Sequence, residues 1–227
     1  MVWHELRQLG AAPLEAGLAA EAQLVCDEMA RRARQNIEVI VERLTEAGYR
    51  FHRNDDEETP AKPFVPATET SAQHALWLRE RFGAVPMTLL SWVRLVGAVW
   101  LVGTHPDWPE SSAADPLVLD AEGLRYGEPI RDYYDEIWQA HLEDDRPGLF
   151  VLPLAPDRLH KSNTSGGGPY GMILPDGGVE GVFAGEVDMP FVSYLNWVFS
   201  HGGFPWPSGN RAQWRVVHRL KRDLLPL

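Results

Sequence analysis

The sequence contains one cysteine, Cys26, in 227 residues. A single cysteine excludes an internal disulfide and any zinc site built from cysteines. No apolar run approaches the length of about 20 residues that a membrane-spanning helix needs. Residues 1–10 hold no basic patch followed by an apolar stretch, so we expect no signal peptide. Together these absences predict a cytoplasmic protein that has no membrane segment.

Basic residues are also scarce, with 21 Lys and Arg against 32 Asp and Glu and a net charge of −11. Nucleic-acid binding requires a basic face that neutralises phosphates, so this balance argues against a nucleic-acid partner. The charge is unevenly spread: residues 105–148 have twelve acids and three arginines, whereas residues 201–227 have a net charge of +4. The acidic segment indicates either an ordinary solvated surface or a surface that attracts a basic partner.

Composition and length predict a folded protein with one domain and an appended helical arm. Hydrophobic residues make up 44% of the chain, and nine tryptophans are present, which is typical of a packed core. Residues 1–50 form the arm, because apolar side chains recur at three- and four-residue steps. These are Leu24, Met29, Ala33, Ile37, Ile40, Val41 and Leu44. A stripe this apolar must pack on the body of the protein or on a second copy of the chain. A homo-oligomer formed through this helix is therefore one expected arrangement.

The prolines and four consecutive acids of residues 51–66 predict an exposed linker. The pattern of helices and strands in residues 67–227 predicts an α+β domain with a largely antiparallel sheet flanked by helices. Helical patterns begin near Ser71, Pro86, Ile130, Pro190 and Trp214. Strand patterns cover 98–102, 116–119, 149–154, 170–174 and 179–183, and a turn at 176–178 predicts that the last two form a hairpin. Strands and helices do not alternate regularly, which argues against a parallel sheet.

The glycine-rich segment from His160 to Tyr170 is the most unusual motif in the chain. A phosphate-binding loop would have its lysine after the last glycine, whereas Lys161 precedes the glycines here. A hydrolase would combine Ser162 or Ser165 with His160 and an acid, but no G-x-S-x-G motif is present. We therefore expect an inter-strand loop and no catalytic residue, and such polar loops often bind partners. No histidine pair has the H-x-x-x-H or H-E-x-x-H spacing of a metal site, so we expect no metal or cofactor.

Two tryptophans, Trp108 and Trp206, lie in proline-containing turns. They are interpreted either as lids on the ends of the sheet or as anchors for a protein partner, since tryptophan contributes strongly to interfaces. Together with the acidic segment and the glycine-rich loop they define a set of candidate partner-binding residues. This set is Trp108, Asp132, Asp135, Asp144, His160, Tyr170 and Trp206.

Residues 73–103 carry a resemblance to a known family. The residues that carry it are Leu78-Arg79-Glu80-Arg81-Phe82-Gly83, Val85-Pro86, Leu89-Leu90-Ser91-Trp92 and Val96-Gly97. This order resembles the opening signature of the SUKH superfamily, in which a helix with a glycine stop precedes a proline-led helix and a short strand. The resemblance implies a bacterial α+β domain without catalytic residues. Many members of that superfamily look like immunity proteins that neutralise secreted toxins.

These observations predict a non-enzymatic cytoplasmic protein-binding module that resembles an immunity protein. The expected partner is a protein, with a basic toxin as one candidate, and neither a nucleic acid nor a membrane. Two alternatives stay open. One is a hydrolase that uses the His160–Tyr170 loop, and the other is a regulatory or scaffold protein without a toxin partner.

Overall fold

The computed structural model describes residues 16–124, 130–145, 148–207 and 209–227. Its seven α-helices are α1 (Ala16–Glu46), α2 (Ser71–Phe82), α3 (Met87–Leu95), α4 (Ile130–Glu143), α5 (Arg158–Lys161), α6 (Phe191–Ser200) and α7 (Arg211–Leu220). Its nine strands are β1 (Arg50–Phe51), β2 (Phe64–Pro66), β3 (Gly97–Trp100), β4 (Gly103–Thr104), β5 (Val118–Leu119), β6 (Phe150–Ala155), β7 (Tyr170–Leu174), β8 (Val182–Ala184) and β9 (Met189–Pro190). Among these described helices, none has the length and apolar character needed to cross a membrane.

Every strand pair among the described residues is antiparallel, and these strands together with the seven helices confirm the α+β class. The strands form three sheets with the orders β1-β4, β2-β3-β5 and β6-β7-β8-β9. The largest sheet is a meander in which Phe150 pairs with Leu174 and Gly171 pairs with Ala184. Within the part of the chain that the structure describes, the strands are divided among three small sheets and do not form one continuous sheet.

The predicted strand 179–183 begins later in the structure, at Val182. The residues before it bind the start of α3 instead, because the carbonyl of Val179 accepts a hydrogen bond from the Thr88 amide at 3.1 Å. The first amides of a helix have no partner within the helix, so a neighbouring carbonyl stabilises them. The β7–β8 connection is therefore longer than the three-residue turn that the sequence predicts.

Helix α1 packs on the rest of the protein through its apolar stripe, as predicted for one of the two arrangements. Ile37, Ile40 and Leu44 are fully buried in the core that also holds residues of α3, the sheets and α7. Leu24 is different, with 66% of its surface exposed. It lies about 220° around the helix from Ile37 at 100° per residue. Its assignment to the buried stripe is wrong.

Residues 51–66, the predicted linker, contribute strand β2 to a sheet. Phe64 pairs with Val99 and Pro66 pairs with Gly97, while residues 56–60 are exposed. Gly97 has a φ of +103°, and a Cβ there would lie 2.3 Å from the carbonyl oxygen of Val65. Only glycine therefore permits the close approach of β2 and β3. The division of the chain into arm, linker and domain at these bounds stays a prediction.

A buried asparagine of α1 holds the last residues of the chain. Asn36 is 1% exposed, and its side chain donates to the Leu225 carbonyl and accepts from the Leu225 amide, both at 2.8 Å. Nearby, the Arg43 guanidinium donates to the Leu220 carbonyl at 2.8 Å and so satisfies the C-terminal end of α7. We refer to the contact between Asn36 and Leu225 as the α1 clamp.

Replacing Asn36 with leucine is expected to lower the free energy of unfolding by about 1–3 kcal/mol, because both polar groups of Leu225 lose their partner. Urea unfolding followed by circular dichroism measures this change. The exposed neighbour Gln35 supplies the control, since Gln35→Ala should change stability by less than about 0.5 kcal/mol. Equal stability of the Asn36→Leu variant and the parent would show that the α1 clamp contributes nothing.

Candidate partner-binding site

Helix α4 is amphipathic and turns an acidic face outward. Tyr134 is fully buried on its inner side, and its hydroxyl donates to the Pro153 carbonyl at 2.7 Å. Asp132, Glu136 and Glu143 are exposed, and their spacing places them on the opposite side of the helix. Glu143 lies in the last turn, where the helix dipole disfavours negative charge. The stability of α4 therefore does not explain why a glutamate occupies position 143.

The acidic character continues beyond the helix. Residues 130–145 hold six acids and one basic residue, Arg131, which gives a net charge of −5. Asp144 and Asp145 are exposed in the turn that follows α4. Asp135 is half-buried and forms an ion pair with Arg81 of α2. Asp132 and Asp144 thus lie at exposed positions, as expected of partner-binding residues, and Asp135 is half-buried against Arg81.

Three large apolar side chains are exposed in the same stretch. Tyr133 is 49% exposed, Leu142 is 57% exposed and Leu149 is 76% exposed. Large exposed apolar groups among charges are typical of anchors at protein interfaces. The sequence analysis missed them, although Leu142 and Leu149 flank the acidic turn and interrupt its polar pattern. We refer to the acids of residues 130–145 and these three side chains as the acidic face.

A cleft of about 280 Å³ opens beside the acidic face. Its walls include Trp100 of β3, Tyr133 of α4, Pro153 of β6 and Pro169 of the glycine-rich loop, and Asp120 lies among them. The indole of Trp100 is fixed by donating to the His52 carbonyl at 2.8 Å. Clefts that hold drug-sized ligands or cofactors usually measure about 300–1,000 Å³, so this one suits a single side chain better. We name it the acidic cleft.

A second acidic segment lies at the rim of the acidic cleft. Asn54 lines the cleft, and its side-chain amide donates to the His160 carbonyl at 2.8 Å. The next four residues, 55–58, are all acids, and Asn163 donates to Asp56 at 2.7 Å. These two bonds join the acidic run to the glycine-rich loop. The lining of the cleft therefore includes Asn54, which directly precedes the acidic run 55–58, and Tyr133 of α4.

His160 lies on the short helix α5, where Asp157 holds it in place. One Asp157 oxygen accepts from the Leu159 and His160 amides at 2.7 and 3.2 Å, and the other contacts His160 Nδ1. Burial acts to raise the pKa of Asp157, but the bonds from the His160 side chain and the two amides hold it below its ordinary value. The Ser162 hydroxyl donates to the Leu159 carbonyl at 2.9 Å. Within residues 148–207, no hydrogen bond joins the side chain of His160 to the side chain of Ser162 or Ser165.

Lys161 points into the protein and not toward solvent. It is 1% exposed, its ammonium lies 2.6 Å from Asp115 Oδ1, and the Tyr170 ring centroid lies 4.9 Å away. Burial lowers the pKa of Lys161, while the Asp115 carboxylate acts to raise it. Tyr170 is itself 5% exposed. This burial corrects the prediction that Tyr170 is a partner-binding residue, because its ring packs on the buried lysine.

The two proline-flanked tryptophans lie in the interior or close to it. Trp108 is 1% exposed and packs on Phe204 with 5.3 Å between ring centroids. A tight turn, closed by the bond from the Trp108 amide to the His105 carbonyl, directs the indole inward. The prediction of Trp108 as a partner-binding anchor is therefore wrong. Trp206 is half-buried against Trp197 with 4.6 Å between ring centroids, and neither Trp108 nor Trp206 lines the acidic cleft.

Two residues close to Asp120, Glu122 and His74, have pKa values that burial shifts from their ordinary range. Burial raises the pKa of Glu122 to about 7, and its Oε1 has no hydrogen-bond partner among the described residues. Burial also lowers the pKa of His74 to about 4, and its ring donates to the Ala121 carbonyl at 2.8 Å. Arg131 lies against His74 with its Nε 3.3 Å from His74 Nδ1. Arg131, in the first turn of α4, also acts electrostatically on both groups.

The Glu122→Gln variant is expected to be more stable than the parent at pH 8 but not at pH 5. The folded state raises the pKa of Glu122 from 4.5 to about 7, so the unfolded state loses this proton first and the parent loses stability between those pH values. Because Glu122 is only half-buried, we expect the free energy of unfolding of Glu122→Gln to exceed that of the parent by about 1 kcal/mol at pH 8.

Urea unfolding at both pH values measures the difference, with Glu80→Gln on the exposed side of α2 as the control. An equal effect of Glu122→Gln at pH 5 and pH 8 would contradict the raised pKa of the carboxyl.

Compared with protein-family models, curated proteins and solved structures, the chain matches none of them. Among the described residues, no group of three or more His, Cys, Asp and Glu side chains is arranged to hold a metal ion.

Proposed function

We propose that this chain is a non-enzymatic protein-binding module that engages a basic protein partner through its acidic face. One observation carries the proposal: three large apolar side chains are exposed within residues 130–149, a segment whose net charge is −4. A negative field accelerates encounter with a basic protein, and apolar anchors that become buried slow dissociation. An acidic surface without such anchors would be interpreted as an ordinary solvated surface.

The acidic charges and the apolar anchors contribute different amounts to the free energy of binding. Exposed ion pairs are worth only about 0–1 kcal/mol each, so charge alone gives a fast but weak complex. An anchor that is fully buried at an interface contributes roughly 2 kcal/mol or more. Tyr133, Leu142 and Leu149 therefore supply most of the affinity in this proposal, while Asp132 and Asp144 supply the rate of association.

The resemblance of residues 73–103 to the SUKH superfamily supports a narrower proposal. In it, the chain acts in the cytoplasm as an immunity protein, and the basic partner is a toxin that it neutralises. The single cysteine agrees with a reducing compartment. A regulatory or scaffold protein would use the same acidic face with a different basic partner.

The Asp132→Asn, Glu136→Gln, Glu143→Gln triple variant is expected to bind the partner more slowly than the parent and with a flatter dependence on salt. The partner is identified by affinity capture from the native cell and mass spectrometry, then purified. Surface plasmon resonance between about 50 and 300 mM salt then gives the association rate for each variant.

A triple variant of three exposed acids on α1, Glu38, Glu42 and Glu46 to glutamine, is the matched control. It removes the same charge from another face, so it should leave the rate close to that of the parent. The proposal fails if both triple variants slow association equally, or if the captured partner is acidic.

A second candidate function, hydrolysis, is favoured by the contact between Asp157 and His160 Nδ1. A carboxylate that orients a histidine is one part of a nucleophilic site. Release of p-nitrophenol from p-nitrophenyl acetate tests it, with His160→Ala as the comparison. A rate above buffer that is lost in His160→Ala would favour the hydrolase, and equal rates for the two proteins favour the binding module.

A further inference from the structure

We propose that a cleft beside α7 binds the phosphate group of a small organic phosphomonoester. The cleft measures about 510 Å³. The residues that line it are His105, Asp107, Ala212, Arg215, Val216 and Arg219. None of them belongs to the acidic face, so this inference goes beyond the proposed function and does not depend on it. We refer to this site as the basic cleft.

Helix α7 brings two arginines to the basic cleft. Residues 211–222 contain five basic residues and no acid, which gives a net charge of +5. Arg215 and Arg219 are exposed and lie one turn apart, a spacing at which like charges destabilise a helix. Among the described residues, neither guanidinium forms an ion pair or a hydrogen bond. The stability of α7 therefore does not explain the two guanidinium groups.

The arginines of α1 have partners that those of α7 lack. Arg32 Nε lies 2.9 Å from Glu28, and Arg34 Nε lies 3.0 Å from Glu38, each pair being four residues apart. The positions four residues before and after Arg215 are both arginines, so no acid on α7 can neutralise it in the same way. The charge of Arg215 and Arg219 is thus available to a ligand.

A buried histidine is the second, independent observation. His105 is 3% exposed, and its Nδ1 accepts from the Asp107 amide at 3.0 Å. Burial lowers the pKa of His105, while the Asp107 carboxylate acts to raise it and Arg219 to lower it, so the ring is mainly neutral at pH 7. The bond to Nδ1 places the single ring proton on Nε2. No hydrogen bond joins Nε2 to another described residue, so this N–H is the donor that the ring offers to the cleft.

Backbone bonds hold His105 in place before any ligand binds. Its amide donates to Ser111 Oγ at 3.2 Å, and its carbonyl accepts from the Trp108 amide at 3.0 Å. A donor that is already fixed loses little entropy on binding. The buried imidazole therefore provides a rigid contact beside the two longer and more flexible arginines.

A phosphate group matches these donors better than a carboxylate does. At pH 7 a phosphomonoester carries about −1.5 to −2 charges and has three strong acceptor oxygens. The two guanidinium groups and the imidazole N–H can each donate to a different oxygen, whereas a carboxylate has only two.

The rest of the basic cleft indicates what the phosphate is attached to. Clefts that hold small ligands usually measure about 300–1,000 Å³, so the basic cleft has room for an organic group beside the phosphate. Ala212 and Val216 are half-buried and give this space an apolar wall. The Asp107 carboxylate, also in the lining, would repel a second anionic group. The expected ligand therefore has one phosphate and a neutral organic part.

Phenyl phosphate is the probe, and benzoate and benzyl alcohol are the comparison ligands, with a carboxylate and a neutral group in place of the phosphate. Binding to the full chain at pH 7, in a buffer without phosphate, is followed by NMR through the backbone amides of Ala212 and Val216. We expect a dissociation constant on the order of 1 mM for phenyl phosphate. Benzoate should bind at least threefold more weakly and benzyl alcohol at least tenfold more weakly. Either of them binding as tightly as phenyl phosphate would overturn the proposal.

Variants of the two arginines give a second measurement. Arg215→Gln should weaken phenyl phosphate binding several-fold, and the Arg215→Gln, Arg219→Gln double variant at least tenfold. Both positions are exposed, so these variants should keep the fold. Arg211→Gln is the matched control, because it removes the same charge from an exposed position of α7 outside the cleft, and it should change binding less than twofold. Equal weakening by Arg211→Gln and Arg215→Gln would show a general attraction to α7 and refute the site.

His105→Asn tests the buried donor. The asparagine oxygen can still accept from the Asp107 amide, but the ring N–H is lost, so phenyl phosphate should bind several-fold more weakly. Thermal unfolding of the variant shows whether the fold is retained. A folded His105→Asn variant that binds phenyl phosphate as the parent does would exclude the imidazole from the site, and unchanged binding by the double arginine variant would overturn the proposal as a whole.

Discussion

Replacing Lys161 with methionine is expected to lower the free energy of unfolding by about 3–5 kcal/mol, the usual cost of removing one member of a buried ion pair. The Lys161 ammonium lies 2.6 Å from Asp115, which is 2% exposed. Without the lysine, the fold would retain a buried carboxylate that has lost its cation. The carboxyl must then either pay its desolvation cost or take up a proton.

Urea unfolding measures the change, and the exposed Lys62→Met is the matched control. Asp115 adopts a φ of +57°, a region that asparagine also tolerates, so Asp115→Asn introduces no added backbone strain. The Lys161→Met, Asp115→Asn double variant should recover part of the lost stability, because it leaves no unpaired charge. If Lys161→Met is as stable as the parent, the ion pair is not a determinant of the fold.

Trp108→Ala is expected to destabilise the protein by about 3–5 kcal/mol, because it leaves a cavity in the core beside Phe204. Trp108→Phe should have a much smaller effect, since the indole Nε1 has no hydrogen-bond partner among the described residues and none is lost. Thermal and urea unfolding of both variants test this order, with Trp214→Ala as the control at a side chain that is 47% exposed.

The two Trp108 variants also distinguish a role of Trp108 in the core from a role at the partner interface. Trp108→Phe should bind the basic partner with the affinity of the parent. Loss of binding without loss of stability in Trp108→Phe would restore the interface interpretation that the buried position of Trp108 contradicts.

Elements defined by short-range signals could be predicted from the sequence. Helix α2 begins at Ser71 and ends before Gly83, as its periodicity and stop residue predict. Strand β7 covers Tyr170–Leu174, the range predicted from its apolar run. The apolar stripe of α1 was also predictable, because its spacing repeats over many turns. In each of these elements, the information lies within a few residues of the element itself.

Features that depend on distant residues could not be predicted. The core contact that buries the Trp108 indole is with Phe204, almost a hundred positions later in the chain. The acidic cleft combines residues from Asn54 to Pro169, which no local spacing brings together. The ion pair of Lys161 joins it to Asp115, and a lysine beside a glycine-rich loop gives no sign that it is buried. Acidic charge was visible in the sequence, whereas the exposure of the apolar side chains within it was not.

The α1 clamp imposes an order of events on the synthesis of the protein. Asn36 and Leu225 are separated by 189 positions, so α1 leaves the ribosome long before the segment that it holds has been made. Contacts of such separation carry a large entropic cost of loop closure and form after local ones. The last residues of the chain are thus secured on α1 after the rest of the core has been made. Until then its buried polar face at Asn36 stays hydrated, which keeps the nascent helix from presenting a purely apolar surface to neighbouring chains.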